Sequence, residues 1–423
     1  MKIAKIVLFL GVIFFTGCSK KNPAEYADKV RLAFWGSPEE VQIINSVVEE
    51  WEAKHPDVKV VLEHTPYGGY TSKILTRIAG GDAPDIIAAE VSLFTNFWSR
   101  NVFLDLTPLI NKDNVFSLSD FFPEIVDHFT IKGEVYGIPR DIAPFACVYY
   151  NKKLFDEKGI SYPADDWSWD DLLKAAKKLT LLDENGRVQR YGFYTWAWQN
   201  FVFSSGGGLV DNVKHPGRIA LNSTASKEGL QFYTDLILKY KVSPTPSALI
   251  NTGMGVQMMF MTGRLAMLGS GIWETPVLRK MKDFDWDIAM FPKGPGGIRK
   301  FATGGTAYCI LKNTKNPELA WKVVKALTAV KTMEKLASTG LAQPARISVA
   351  RGPCWAESGE KPLNKAMLNE AVQYVVFPPF HPNWREIEEL YVKPKLDLLF
   401  NGQQSVDEIM PEIIKEGNKL LTK

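Results

Sequence analysis

The fold is decided by three short apolar stretches near the start of the chain: VRLAFW at 30–35, VKVVL at 58–62 and DIIAA at 85–89. Each has the length and apolar character of a buried strand. Apolar residues at helical spacing fill the segments between them. A strand–helix–strand–helix–strand order predicts a parallel sheet with helices on both faces, and therefore an α/β protein.

The first of the intervening helices carries a clear start signal. Ser37 is the predicted N-cap, Pro38 occupies the first helical position and Glu40 completes a capping box. A second helix is predicted over 70–79, and the pair Gly80-Gly81 ends it.

The rest of the chain continues the alternation of strands and helices. Further strands are predicted at 135–139, 147–150, 265–268 and 286–290, and helices at 172–181, 225–240, 255–261, 317–336, 384–400 and 406–421.

Length and composition restrict the classes of function that the chain can have. A chain of 423 residues predicts two or three domains of roughly 150 residues each. The 50 basic residues nearly balance 47 acidic ones, which argues against a nucleic-acid partner. The 12 Trp, 14 Tyr and 24 Phe suit sites that stack on flat apolar ligand faces.

The N-terminus has the pattern of an export signal. Lys2 and Lys5 precede an apolar run over 6–15 that is too short for a permanent membrane span. We expect a signal peptide at 1–17, lipidation of Cys18 and an anchored linker at 18–29. The alternative is an ordinary signal peptide cut nearby. Either way the protein is expected to be extracytoplasmic, and with a lipidated Cys18 only its lipid holds it to a membrane.

Motifs of catalysis, metal binding and nucleotide binding are missing from the sequence. The five His show no metal-ligand spacing, and no phosphate-binding glycine loop or nucleophile elbow occurs, so neither a metal nor a cofactor is expected. The pair Asp165-Asp166 is read as helix capping rather than as glycosidase acids. Cys147, Cys309 and Cys354 are predicted to be small core residues.

Several motifs occur in one order along the mature chain. They are LAFWG (32–36), HPDVKV (55–60), ILTRIAGGDAPDI (74–86), GIP (137–139), YYNKKLF (149–155), WSWDDL (167–172), GRLAM (263–267), GIW (271–273) and PNWREI (382–387). In this order they resemble the extracellular solute-binding proteins of ABC importers, the group that includes maltose-, oligosaccharide- and glycerol-phosphate-binding proteins.

The resemblance implies a two-lobed periplasmic-binding-protein-like (type II) fold with a hinge of crossing strands. The N-terminal lobe is expected at 30–142 and 305–345, and the C-terminal lobe at 146–300 and 350–423. It also implies a monomer that closes on a carbohydrate and delivers it to the transmembrane subunits of an ABC permease. No catalysis is expected.

Candidate ligand-binding residues combine aromatic faces with polar groups, as sugars require. They are Trp273, Gly271, Trp35, Glu90, Tyr67, Tyr70, Arg140, Asp141, Trp196, Trp198, Gly304 and Trp384. Which of Trp196 and Trp198 faces the cleft is left open. Three alternatives also remain: an anionic ligand such as a sugar acid or glycerol phosphodiester, a secreted carbohydrate-active enzyme, and an adhesin.

Overall fold

The computed structural model describes residues 28–422. The predicted signal peptide, Cys18 and most of the linker lie outside the described residues. Within 28–422, no helix combines the length and apolar character needed to cross a membrane.

Fifteen strands are found in the described residues. They are β1 (Asp28–Phe34), β2 (Val58–His64), β3 (Ile86–Glu90), β4 (Thr130–Ile131), β5 (Glu134–Val135), β6 (Ile138–Pro144), β7 (Cys147–Asn151), β8 (Leu181–Leu182), β9 (Val188–Arg190), β10 (Tyr194–Thr195), β11 (Met267–Ser270), β12 (Trp286–Met290), β13 (Phe301–Ile310), β14 (Gln343–Pro344) and β15 (Val375–Val376).

The larger sheet confirms the predicted parallel arrangement at the start of the chain. Its order is β14-β6-β13-β3-β1-β2, with β15 added on β13. Strand β1 pairs in parallel with both β2 and β3. Strand β13 runs antiparallel to both β3 and β6, so β6 has the same direction as β3. The predicted lobe boundary at 305 falls inside β13, which lies in this sheet along its whole length.

The smaller sheet has the order β10-β11-β7-β12 and belongs to the second lobe. Strand β7 is its centre, antiparallel to β11 and β12, and all five residues of β7 are buried. Cys147 and Cys309 are buried as predicted, whereas Cys354 is only partly buried. Two hairpins, β4-β5 and β8-β9, stand apart from both sheets.

Nineteen α-helices are found in the same residues. They are α1 (Pro38–Glu52), α2 (Tyr67–Ala79), α3 (Val91–Ser99), α4 (Thr107–Lys112), α5 (Pro123–His128), α6 (Lys152–Glu157), α7 (Trp169–Leu179), α8 (Gln199–Ser204), α9 (Thr224–Leu238), α10 (Pro246–Thr252), α11 (Val256–Met261), α12 (Thr275–Leu278), α13 (Pro317–Leu327), α14 (Val330–Ser338), α15 (Ile347–Ala350), α16 (Met367–Ala371), α17 (Trp384–Ile387), α18 (Lys393–Phe400) and α19 (Val406–Leu421).

The start of α1 confirms only half of the predicted capping box. The Ser37 hydroxyl accepts a hydrogen bond from the Glu40 amide at 3.2 Å. The Glu40 side chain does not return to Ser37, because it pairs with Arg140 instead. A full capping box occurs at α7, where Ser168, rather than Asp165 or Asp166, is the N-cap.

Two helices predicted as continuous are interrupted. The predicted helix 317–336 breaks between α13 and α14, where Ala329 is extended. At this break the Arg346 side chain donates a hydrogen bond to the Thr328 carbonyl. The Thr332 hydroxyl donates one to the Ala326 carbonyl. In the predicted helix 384–400, residues Glu388–Val392 form a π-helical turn between α17 and α18.

The chain passes between the two lobes three times: from β6 to β7, from β12 to β13, and after β14, where α16 packs on β12 of the smaller sheet. Ion pairs also join the lobes. Lys280, just beyond α12, contacts Glu39 of α1 at 3.1 Å, and Lys214 contacts Asp127 of α5. The start of α1, just after β1, and the helix α5 therefore face the second lobe.

Candidate functional site

The candidate site begins at the carboxyl ends of the parallel strands, where loops of an α/β sheet bind ligands. Glu90 is the last residue of β3 and the N-cap of α3. Trp35 follows β1 directly, and Tyr67 opens α2. Three of the predicted residues thus share one edge of the larger sheet.

The two carboxylate oxygens of Glu90 differ in their contacts. Its Oε2 accepts the amide of Ser92 at 3.0 Å, together with the Ser92 hydroxyl. Its Oε1 has no protein donor among the described residues and lies 3.7 Å from where a β-carbon on Gly304 would sit. Burial raises the pKa of Glu90 to about 7, and Ser92 opposes that rise.

Opposite Glu90 lies a cluster of three rings, which we call the aromatic wall: Phe145, Trp196 and Trp273. Phe145 contacts Trp196 and Trp273 edge-on, with ring centroids 4.7 and 5.6 Å away. The two indoles are 6.2 Å apart. Trp196 is 38% exposed, so the wall presents an open apolar face.

Gly304 brings the acid and the aromatic wall together. A β-carbon at this position would lie 3.4 Å from the Phe145 ring and 3.7 Å from Glu90 Oε1. Gly304 pairs with Ala143 across β13 and β6, at the point where the chain crosses between the lobes. A carboxylate oxygen and apolar ring faces therefore border the same space.

Phe145 is held by Asn200, which is fully buried. The Asn200 amide donates to the Phe145 carbonyl at 2.7 Å and accepts the Ala302 amide at 2.9 Å. One side chain thereby ties together two of the crossings between the lobes. Neither Phe145 nor Asn200 was predicted from sequence, although Phe145 lies between two predicted strands at the lobe crossing.

Contacts with the Tyr149 hydroxyl fix the loop that carries Trp273. The Tyr149 hydroxyl lies 3.1 Å from the carbonyls of Gly271 and Ile272 and 3.0 Å from the Thr275 hydroxyl. A β-carbon on Gly271 would be 1.9 Å from the Trp273 ring. Glycine at 271 is thus what lets the indole fold back over its own loop.

The aromatic residues at the edge of the larger sheet separate into accessible and buried members. Tyr67 is 59% exposed and meets partly buried Trp35 edge-on at 5.6 Å. Tyr70, in contrast, is 1% exposed, and its hydroxyl lies 3.0 and 2.8 Å from the carbonyls of Ala33 and Ala88. Tyr70 therefore supports Trp35 at 4.8 Å rather than facing a ligand, which corrects its assignment.

The edge of the larger sheet and the aromatic wall together make one candidate site. We call it the interlobe site, and it consists of Trp35, Tyr67, Glu90, Phe145, Trp196, Trp273 and Gly304.

Arg140 and Asp141 are placed in the core, not in the interlobe site. Arg140 pairs with Asp141 at 2.5 Å and with Glu40, and all three are less than 10% exposed. Burial alone would lower the pKa of Arg140, but the charges of Asp141 and Glu40 hold it above its usual value. These groups satisfy one another, which corrects their assignment as ligand contacts.

Two predicted tryptophans are also core residues. Trp198 is 8% exposed and Trp384 is 6% exposed, and both pack in the main hydrophobic cluster. Of the pair Trp196 and Trp198, it is therefore Trp196 that faces the interlobe site. Groups of metal-ligating side chains are not found in residues 28–422.

Two α/β lobes with polar and aromatic groups meeting at their junction define a two-lobed binding protein. The chain belongs to the family of bacterial extracellular solute-binding proteins, whose sequence profile matches residues 35–334. Membership places it among proteins that act outside the cytoplasm.

Named relatives and solved structures agree with this family. The chain is 26% identical over 328 residues to the arabinooligosaccharide-binding protein of Bacillus subtilis (strain 168), covering 74% of this chain and 73% of that protein. It is 26% identical over 312 residues to the maltotriose-binding protein of Pyrococcus abyssi, covering 69% of this chain and 60% of that protein.

The fold is also that of a solved ABC substrate-binding protein of Listeria monocytogenes in complex with cycloalternan. The TM-score is 0.83 at 25% identity, over 93% of this chain and 99% of that one. Maltose-bound MalE3 of T. maritima shares the fold with a TM-score of 0.79 at 23% identity, over 93% of this chain and all of that one.

Proposed function

We propose that the protein is the carbohydrate-binding subunit of an ABC importer and that it holds its ligand in the interlobe site. The observation that carries the proposal is the aromatic wall beside the free Oε1 of Glu90. A sugar ring has apolar C–H faces that stack on indole and phenyl rings, and hydroxyls that donate to a carboxylate.

The position of the site supports capture by closure. Glu90 and Gly304 belong to the larger sheet, whereas Trp196 and Trp273 follow strands of the smaller one. A ligand that contacts both sets gains affinity only when the lobes come together, so it shifts the protein toward the closed form. The closed form is the shape we expect the permease to recognise, without any bond made or broken in the ligand.

An anionic ligand is disfavoured as the alternative. It requires basic side chains free to bind phosphate or carboxylate. Arg140, the one candidate, is saturated by Glu40 and Asp141. None of the residues that form the interlobe site is basic, and its carboxyl group is that of Glu90.

We also propose a lipid anchor and two lobes that close on the ligand. A lipid on Cys18 holds the monomer at the membrane beside the permease. Lobes at 30–142 with 305–345, extended to include all of β13, and at 146–300 with 350–423 close on the sugar. Mass spectrometry of the exported protein tests the anchor: a diacylglyceryl mass on an N-terminal Cys18 is expected, and an unmodified N-terminus would contradict it.

A thermal-shift screen of residues 19–423 against mono- and oligosaccharides tests the binding function. A ligand at 100 times its Kd stabilises the folded protein by about 2.7 kcal/mol, which raises Tm by several degrees. We expect one sugar class to do so without being consumed. No change in Tm with any neutral sugar, together with a rise in Tm with phosphodiesters or sugar acids, would contradict the carbohydrate assignment.

A further inference from the structure

Arg279 joins the segment that carries Trp273 to the other lobe. It follows α12, which is held on the smaller sheet because the Thr275 hydroxyl lies 3.0 Å from the Tyr149 hydroxyl of β7. The Arg279 Nη1 donates to the Ser338 carbonyl at 2.8 Å. Ser338 is the last residue of α14, and α14 packs on α1 and on β14 of the larger sheet. One guanidinium therefore spans the junction between the lobes.

The carboxyl end of α14 is suited to bind a cation. The last carbonyls of an α-helix lack partners within the helix and carry the negative end of its dipole. The guanidinium satisfies one of these carbonyls, that of Ser338. The Nε of Arg279 also donates to the Lys361 carbonyl at 2.6 Å. Because the Lys361 side chain pairs with Asp285, just before β12, this second contact ties Arg279 to its own lobe.

The two lobes approach closely beside this contact. Gly340, just beyond α14, has a left-handed φ of +74°. A β-carbon on Gly340 would lie 2.6 Å from Thr275 Cγ2 and 2.9 Å from Arg279 Nη2. A side chain at residue 340 would therefore push α12 and Arg279 away from α14.

The ion pairs between the lobes are more exposed than this contact. Lys280 meets Glu39 at 3.1 Å with both side chains largely in solvent, and the same holds for Lys214 and Asp127. Exposed ion pairs contribute little, whereas a hydrogen bond from a charged, partly buried group contributes more. Of these contacts, we expect that of Arg279 to stabilise the junction most.

We propose that Arg279 is an interlobe latch, a positioning residue that binds the carboxyl end of α14 and so holds the lobes in the arrangement that completes the interlobe site. Trp273 on one lobe and Glu90 on the other then border the same space. This inference rests on the proposed function for its effect on the ligand. Because saccharide and latch favour the same arrangement of the lobes, each should strengthen the other.

Small-angle X-ray scattering of residues 19–423 without saccharide tests the latch. Arg279→Met keeps an unbranched side chain but removes every donor, so we expect a larger radius of gyration than in the wild type. Arg279→Lys keeps the charge at the end of α14 and should give an intermediate radius. Arg264→Met, at an exposed position of the same lobe, should match the wild type. Equal radii for the wild type and Arg279→Met would overturn the latch.

A second variant separates the lobes without touching Arg279. Gly340→Ala should also enlarge the radius of gyration. Gly81→Ala is the matched control, because Gly81 has a φ of +75° but nothing within 4 Å of its β-carbon position. The two variants share the backbone strain and differ in the interlobe contact, so equal radii would contradict the latch. Circular dichroism checks that each variant is folded, and an unfolded Arg279→Met would leave the decision to this pair.

Binding of maltotriose, used as the probe, tests the effect on the ligand. Arg279→Met should raise the Kd about tenfold, mainly through faster dissociation, since the loss falls on the closed form. An unchanged Kd would overturn the role of the latch in binding. Should maltotriose bind neither protein, the radii alone decide. Because the radii are measured without saccharide, the latch can fail while the proposed function stands, and the reverse.

Discussion

The indole of Trp273 lies directly over Gly271, so that a β-carbon at residue 271 would be 1.9 Å from the ring atom Cζ3. The backbone beneath is fixed, because the Tyr149 hydroxyl holds the carbonyls of Gly271 and Ile272. The indole therefore has to move if residue 271 gains a side chain. The orientation of one face of the aromatic wall depends on this glycine.

Gly271→Ala should displace the Trp273 indole and weaken saccharide binding about tenfold, since the ring can no longer stack in place. Titration calorimetry with the saccharide found in the thermal-shift screen measures the loss. Gly255→Ala is the control, because a β-carbon at 255 would meet nothing within 4 Å. Unchanged affinity in Gly271→Ala would show that Trp273 does not contact the ligand.

Trp196 and Trp198 should respond oppositely to truncation. Trp196→Ala removes a 38% exposed ring, so we expect a change in unfolding free energy within about 1 kcal/mol and a marked loss of saccharide affinity. Trp198→Ala empties a buried position and should cost about 3–5 kcal/mol of stability. Urea unfolding and calorimetry measure the two quantities, and the reverse pattern would contradict the assignment of Trp196 to the site.

Local sequence signals predicted part of the fold, but they did not distinguish Trp196 from Trp198. The parallel β1, β2 and β3, the cap at Ser37 and the final helix α19 were predicted because their signals are local. Trp196 and Trp198 have equivalent local contexts in the sequence, and only tertiary packing distinguishes them.

The remaining site residues depend on contacts between distant parts of the chain. Arg140-Asp141 resembles a polar pair at a lobe crossing, but Glu40, 100 residues away, turns it into a buried network. The break between α13 and α14 is likewise stabilised by distant Arg346, without a proline or glycine to signal it.

Arg140→Met should destabilise the fold without altering saccharide affinity. The substitution leaves Glu40 and Asp141 buried beside each other without their cation, which costs about 3–5 kcal/mol. Urea unfolding measures this, and calorimetry below the transition measures affinity. The control is Arg218→Met, whose side chain is 75% exposed beside Asp211, with an expected cost below about 1 kcal/mol. A loss of saccharide affinity without a loss of stability in Arg140→Met would show that Arg140 belongs to the binding site.

His128 should make stability fall in mild acid. It is buried, its Nε2 donates to the Val91 carbonyl at 3.0 Å, and burial lowers its pKa to about 4. The unfolded chain takes up the proton near pH 6.5 and the folded protein only near pH 4. Stability is therefore lost as pH falls from about 6.5 to about 4, by up to about 3 kcal/mol.

His128→Gln keeps a donor for Val91 but removes the titration, so its unfolding free energy should fall less over that pH range. Unfolding in urea at pH 7, 6, 5 and 4 gives the comparison. Exposed His215→Gln serves as the matched control and should follow the wild type. Parallel pH profiles for the wild type and His128→Gln would contradict a neutral, buried His128.

A crystal structure of residues 19–423 with the saccharide that gives the largest thermal shift tests the central claim most directly. The account predicts a sugar ring stacked on Trp273 or Trp196, with a hydroxyl within hydrogen-bond distance of Glu90 Oε1. A saccharide bound elsewhere, with the aromatic wall and Glu90 untouched, would contradict it.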